Sequence, residues 1–281
     1  MANNVDLVAS YWTVAGSWPG TEREFSRFGF RERVAAVARA GFMGMGFWHA
    51  DLEHVLADTS LADMKAILDD HGISHVEVEF LLDWFLEGEP KRESDRRKRL
   101  LFSAAEGLGA TYVKVGDFHN QICPMPRLIE DFAGLCREAA EIGTRIAFEP
   151  MASAMIYSLK DSLAMVEGAA AVNGGLAIDI YHMVNQAESL AELAALPVSR
   201  LFAVEINDAE ILKPGGHNRH AGDPRRFCGE GDFDIRGFIA AVHRTGYSGA
   251  WGVEVIAREL LEMDLDAIAT KAYGTARAQF D

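Results

Sequence analysis

Four stretches of the chain carry an acid in or just behind an apolar run rich in β-branched and aromatic residues. They are "RIAFEP", ending at Glu149; "LAIDIYH", with Asp179 and His182; "FAVEIND", with Glu205, Asn207 and Asp208; and "WGVEVIAREL", with Glu254. An isolated ionised carboxylate in apolar surroundings is so costly that it must be paired, neutralised or bound to a metal. Taken singly, each acid is equally well explained by a nearby Lys or Arg. Brought to one place, the four repel one another strongly unless a cation lies between them. Hard oxygen ligands with open positions suit Mg²⁺, Mn²⁺ or a similar divalent ion.

Convergence depends on the elements that hold these acids. An amphipathic segment, a glycine and a short β-branched or aromatic run recur along the chain. The pattern is seen in "FRERVAAVARAGFMGMGFWHA" at Gly41, "MKAILDDHGISHVEVEF" at Gly72, "LFSAAEGLGATYVKVGDF" at Gly109, "CREAAEIGTRIAFEP" at Gly143 and "FIAAVHRTGYSGAWGVEV" at Gly246. Each glycine stands where a helix needs a left-handed cap before a strand. The runs "VDLVASYW", "GGLAIDI" and "RLFAVEI" bring the strand count to eight. Strands alternating with helices imply right-handed crossovers and a parallel sheet. Eight such units in 281 residues match an α/β fold of the (β/α)8 TIM-barrel type, with residues 1–281 as one domain. A doubly wound open sheet is the other architecture, but no GxGxxG follows the first strand and no Walker A motif occurs.

In a barrel of this kind chemistry sits at the C-terminal ends of the strands. Strands five to eight then each place an acid on one rim: Glu149, Asp179, Glu205 and Glu254. The same rim receives His49 and Glu79 from strands two and three, and Lys114, Asp117 and His119 from strand four, as candidate substrate contacts. Trp12, Trp48, Trp84 and Phe118 are either pocket walls or core. The irregular stretch from Glu210 to Asp232, which contains His217, Arg219 and His220, is too long for an ordinary connection and reads as a lid or binding loop.

Composition narrows the function classes. Acidic residues outnumber basic ones 42 to 27, a formal charge of −15, which repels nucleic-acid phosphates and anionic membranes. The start "MANNVDLVAS" lacks a basic segment followed by an apolar one, and no apolar run is long enough to span a bilayer. A cytoplasmic location is expected. Cys123, Cys136 and Cys228 form no CxxC pair and are read as ordinary thiols.

From its first strand to its last helix the chain resembles the xylose isomerase-like TIM barrels, known as sugar phosphate isomerases/epimerases. The resemblance is carried most specifically by "FEP", "DIYH", "GEGDFD" and "GYSGAWGVEV". It implies a single divalent ion, Mn²⁺ or Mg²⁺ with Co²⁺ as a further candidate, held by Glu149, Asp179, position 205 and Glu254. Where many relatives carry a neutral Gln or His, this chain has Glu205, a substitution that disfavours zinc. Asn207, on the same strand face, is the alternative ligand or a substrate contact. The resemblance further implies that Glu149 and Glu254 move the proton, that His182 binds a substrate oxygen beside the metal, and that Arg225 meets a substrate hydroxyl. The expected activity is isomerisation or epimerisation of a sugar or related polyhydroxylated carbonyl compound through an enediolate. A lyase, either a dehydratase or a β-eliminating deglycosylase, is the alternative on the same scaffold. Such barrels also occur as homo-oligomers or with a small partner subunit. "GEGDFD" offers no obvious phosphate nest, so a phosphorylated substrate is not implied.

Overall fold

The computed structural model describes residues 5–118, 121–152, 154–211 and 224–281. Eight strands form a closed parallel barrel in sequence order. They are β1 (Leu7–Ala9), β2 (Gly44–Trp48), β3 (His75–Leu81), β4 (Tyr112–Val115), β5 (Arg145–Phe148), β6 (Gly174–Asp179), β7 (Leu201–Ile206) and β8 (Trp251–Val253). β1 closes the ring on β8, with Leu7 opposite Trp251 and Ala9 opposite Val253. The connections contain α1 (Tyr11–Ala15), α2 (Phe30–Ala40), α3 (His49–Leu56), α4 (Leu61–Asp70), α5 (Gly88–Leu108), α6 (Met125–Glu141), α7 (Leu159–Gly168), α8 (Ile180–Asn185) and α9 (Leu190–Ala194), with α10 (Ile235–Thr245) before β8 and α11 (Leu265–Arg277) after it.

The expected strands and caps are present. The five glycines expected to end helices all have positive φ, from 71° at Gly109 to 110° at Gly41. There a side chain would clash with its own backbone, so glycine lets the chain turn from helix to strand. The first run differs from expectation. β1 stops at Ala9, and Tyr11–Ala15 turns into a short helix. Ser10 N donates to Val253 O at 3.1 Å, and the Thr13 hydroxyl donates to the same carbonyl at 2.7 Å. These bonds fold the segment over the barrel mouth and place Trp12 on a helical turn.

The main apolar cluster joins strand residues such as Val78, Val113, Ile146, Ile178 and Val253 to the helices around them. The barrel interior is different. Side chains two positions apart on a strand share a face, and the residue two before each rim acid of strands five to eight is small: Ala147, Ala177, Ala203 and Gly252. That thin layer leaves room beneath the rim for longer polar side chains from β3 and β4. Trp84, offered by the sequence as wall or core, is core. It packs against Phe85, Phe132 and Phe148, and its indole N–H donates to Gly116 O at 3.2 Å. The three cysteines are buried free thiols.

Candidate active site

Lys114 crosses the barrel interior. Its Nζ lies 2.8 Å from Glu205 Oε1 and 2.5 Å from Glu79 Oε2, and Ser10 Oγ donates to the same Glu205 oxygen at 2.7 Å. β4 and β7 are three strands apart in the ring, so the first contact runs through the inside. Burial alone would pull the ammonium down, but Glu205 and Glu79 outweigh it and hold Lys114 well above the usual lysine range. It stays a cation. Below it, burial pushes the Glu77 carboxyl up to about 7, and the Tyr112 hydroxyl donates to it.

Asp179 caps α8, accepting from Tyr181 N at 2.9 Å, and Asn207 Nδ2 donates to the same oxygen at 2.7 Å. Arg225 Nη1 stands 3.0 Å from Asp179 Oδ2 and contacts Glu254, with its guanidinium carbon 4.5 Å from the centre of the Tyr181 ring. The backbone fixes this placement, because Arg225 N donates to Ile256 O at 2.5 Å and Arg226 bridges to Asp208. Asp208 is bound up in holding that turn, accepting from Ala209 N, Gly229 N and Phe233 N.

His182 Nε2 lies 3.5 Å from Glu149 Oε1, while Nδ1 accepts from Ala152 N at 3.4 Å. Burial, reinforced by Arg225, holds His182 well below its usual value. The ring is therefore neutral, with its proton on Nε2 and facing Glu149. Burial also drives the Glu149 carboxyl well above the carboxylate range. Lys114 opposes the shift, while Glu205 and Asp179 add to it.

The acids form two groups whose ligand atoms lie within 4.8 Å of one another: Glu149 with Asp179 and His182, and Glu79 with Glu205 and Glu254. The four expected ligands are thus divided two and two, with His182 and Glu79 as additional members. Glu205 Oε2, Glu79 Oε1 and Asn207 Oδ1 are buried and accept no hydrogen bond among the described residues. Buried oxygens of this kind need a partner, and an oxygen-rich set with one imidazole fits a hard or borderline divalent cation.

Both groups open on a cleft of about 420 Å³, a size usual for small-ligand sites. Glu79, Glu149, His182, Arg225 and Glu254 line it, as does His49. Its apolar walls include Trp12, Trp48, Phe80 and Phe118. Lys114 and Asn207 lie behind the lining, at 1% and 0% exposure, together with their partners Glu205 and Asp179, and Lys114 meets the lining itself through Glu79. Asp117 accepts from Met155 N at 3.0 Å and so braces the loop after β5. Arg226 pairs with Glu210 on the outside. His119, His217, Arg219 and His220 lie outside the described residues. Two charged lining residues escaped the sequence reading. Glu24 accepts from Trp48 Nε1 at 3.0 Å, and Arg97 projects from α5. The run "KRESDRRKRL" holds so many basic residues that only the helix orientation identifies Arg97 as the one at the cleft.

A family model described as the xylose isomerase-like TIM barrel matches residues 34–277. The chain belongs to this family. It is 29% identical over 238 residues to a 3-dehydroshikimate dehydratase of Pseudomonas aeruginosa, a match covering 80% of this chain and 36% of the relative. A second 3-dehydroshikimate dehydratase, from Pseudomonas putida, is 26% identical over 233 residues, covering 80% of this chain and 35% of that one. The chain therefore spans about a third of the length of these curated relatives. Among solved structures, the IolI protein with a bound zinc atom superposes with a TM-score of 0.82 at 18% identity, covering 98% of each chain. The D-allulose 3-epimerase from Methylomonas sp. in complex with D-allulose gives 0.72 at 18% identity, covering 98% of this chain and 97% of that one. At such identities these two likenesses speak for the fold. No helix among the described residues is long and apolar enough to cross a membrane.

Proposed function

We propose that this protein is a divalent-metal-dependent isomerase or epimerase that acts on a sugar or related polyhydroxylated carbonyl compound by proton transfer at the carbon next to the carbonyl, with residues 1–281 as one catalytic domain. The observation that carries this reading is the division of the acids. Glu149 and Glu254 both line the cleft, yet belong to different clusters, so a substrate carbon can meet a carboxyl group from each.

Glu149, Asp179, Glu205 and Glu254 would hold Mn²⁺ or Mg²⁺, with Co²⁺ as a further candidate, and Glu79 stands ready as an additional ligand. The bound ion would stabilise negative charge developing on the substrate's carbonyl oxygen. Glu149, with the His182 imidazole beside it, is placed to return a proton to the substrate. Glu254, ion-paired with Arg225, is the complementary carboxylate that removes one, and two acids in contrasting environments are the usual basis for such a division of labour. His182 presents its Nε2–H beside Glu149 as a donor to a substrate oxygen. Arg225 orients Glu254 and meets a substrate hydroxyl. Asn207 and Lys114 act through Asp179 and Glu205, and His49 contacts the substrate from the facing wall.

A lyase acting on an oxidised sugar or glycoside is the second reading, favoured by the sequence relatives, which are 3-dehydroshikimate dehydratases. Elimination starts with the same proton removal and then expels a group from the neighbouring carbon. One experiment separates the two. The protein is incubated in D₂O with Mn²⁺ or Mg²⁺ and a panel of ketohexoses, uronic acids and cyclic polyol ketones. Isomerisation or epimerisation leaves deuterium next to the carbonyl, whereas elimination gives an unsaturated, ultraviolet-absorbing product. EDTA abolishes either reaction, and Mn²⁺, Mg²⁺ or Co²⁺ restores it better than Zn²⁺. Full activity in metal-free protein rules the reading out.

A further inference from the structure

Among the described residues of the cleft, one cation is left unaccounted for. Arg225 is held by Asp179 and Glu254, and Lys114 by Glu79 and Glu205. Arg97 also lines the cleft but serves none of these acids. Its nearest ion-pair partner is Glu93, at 3.7 Å on its own helix, and its side chain is only 19% exposed. Asp83 and Glu53 attract it from farther off, and Arg96 repels it. Its Nε is buried and makes no hydrogen bond among the described residues. A half-satisfied buried guanidinium at the edge of a cleft needs an acceptor. His49 stands in the same lining, 7% exposed, and its Nδ1 makes no hydrogen bond among the described residues.

We propose that Arg97 and His49 form a carboxylate-binding subsite, so that the substrate of the reaction proposed above is a polyhydroxylated carbonyl compound that also bears a carboxylate. Three observations select this chemistry. Arg97 supplies a single positive charge, and burial keeps His49 neutral, its pKa lowered to about 3. One charge matches a monoanion better than a phosphate dianion. The planar guanidinium fork fits two carboxylate oxygens. Finally, His49 follows β2 and Arg97 lies on the helix after β3, and these strands stand opposite β6 and β7 in the eight-membered ring. The anchor is therefore across the mouth from Asp179 and Glu205, with Trp12, Trp48, Phe80 and Phe118 available to the apolar C–H faces between the two ends.

The test is a ligand-observed NMR titration of the Mg²⁺-loaded protein. Its probes are D-galacturonate, D-gluconate and quinate, their neutral counterparts D-galactose, D-glucitol and myo-inositol, and D-galactose 6-phosphate. At least one acid should bind about 10- to 100-fold more tightly than its neutral counterpart, the range for a hydrogen-bonded charge. Arg97→Met should erase that advantage while leaving the neutral compound unchanged, and Arg97→Lys should keep part of it. An acid advantage in no pair, an advantage that survives Arg97→Met, or preference for the phosphate ester over every acid would each overturn the proposal. Arg97 and His49 belong to neither acid cluster, so the titration is repeated after EDTA treatment. Acid selectivity in a protein whose chemistry needs no metal would leave the subsite standing and defeat the functional reading. Metal-dependent deuterium exchange confined to neutral sugars would do the reverse.

Discussion

Glu205 shows how one residue alters a site. A neutral side chain at this position would need no counter-charge, whereas a buried glutamate does, and Lys114 supplies it from β4. Removing one partner of a buried ion pair strands the other charge, at a typical cost of about 3–5 kcal/mol. Lys114→Met should therefore lose stability of that order in urea unfolding, and Lys114→Met with Glu205→Gln should regain a large part of it. If the double variant is no more stable than the single, Glu205 is not what Lys114 serves. Glu254 invites a different substitution. Glu254→Gln keeps the shape and a ligating oxygen but removes basicity, so metal content should hold while the rate falls by about 10²–10⁴ and deuterium exchange is lost. Exchange at the wild-type rate in metal-loaded Glu254→Gln would leave Glu254 as a ligand only and pass the proton to Glu149 or His182.

At the scale of elements, the small residues beneath the rim matter as much as the acids above them. Gly252 on β8 lies opposite Glu205 of β7, and a Cβ there would come within 2.6 Å of Glu205 Cγ and 3.1 Å of Ser10 Oγ. Gly252→Ala should push Glu205 away from Ser10 and Lys114. The expected result is a folded protein destabilised by about 1–3 kcal/mol, the usual range for overpacking, with weakened binding of Mn²⁺ in a calorimetric titration. Unchanged Mn²⁺ affinity would mean that position 205 is not a ligand. The helix–glycine–strand grammar was readable because each unit is local: a left-handed cap and a β-branched run sit within about twenty residues of sequence. β1 was read too long because the turn into α1 depends on Val253, on the far end of the chain.

At the scale of the molecule, buried histidines tie folding to pH. His49 is held down to about 3 from its ordinary 6.5, first by burial and then by Arg97 and Arg96. Between those limits the unfolded chain takes up a proton that the folded chain refuses, so the histidine's contribution to stability is lost as pH falls from about 6.5 toward 3. His182 is shifted in the same direction. His49→Gln should therefore lose less stability than the wild type between neutral and mildly acidic pH, compared by urea midpoints. Equal losses would show that His49 is not held neutral in the folded protein.

The sequence by itself determined the alternation of strands and helices, the caps between them and the rim on which Glu149, Asp179, Glu205 and Glu254 emerge. Those features follow from periodicity and turn chemistry over short stretches. Only the tertiary structure decided that the acids divide into two clusters, that Glu79 joins one of them, that Lys114 pairs with Glu205 across the interior, that Trp84 is core, and that Arg97 is the basic residue of α5 at the cleft. Each of these is a distance between residues far apart in the chain, set by how the eight strands close and how each helix is rotated against them, and no local pattern encodes it.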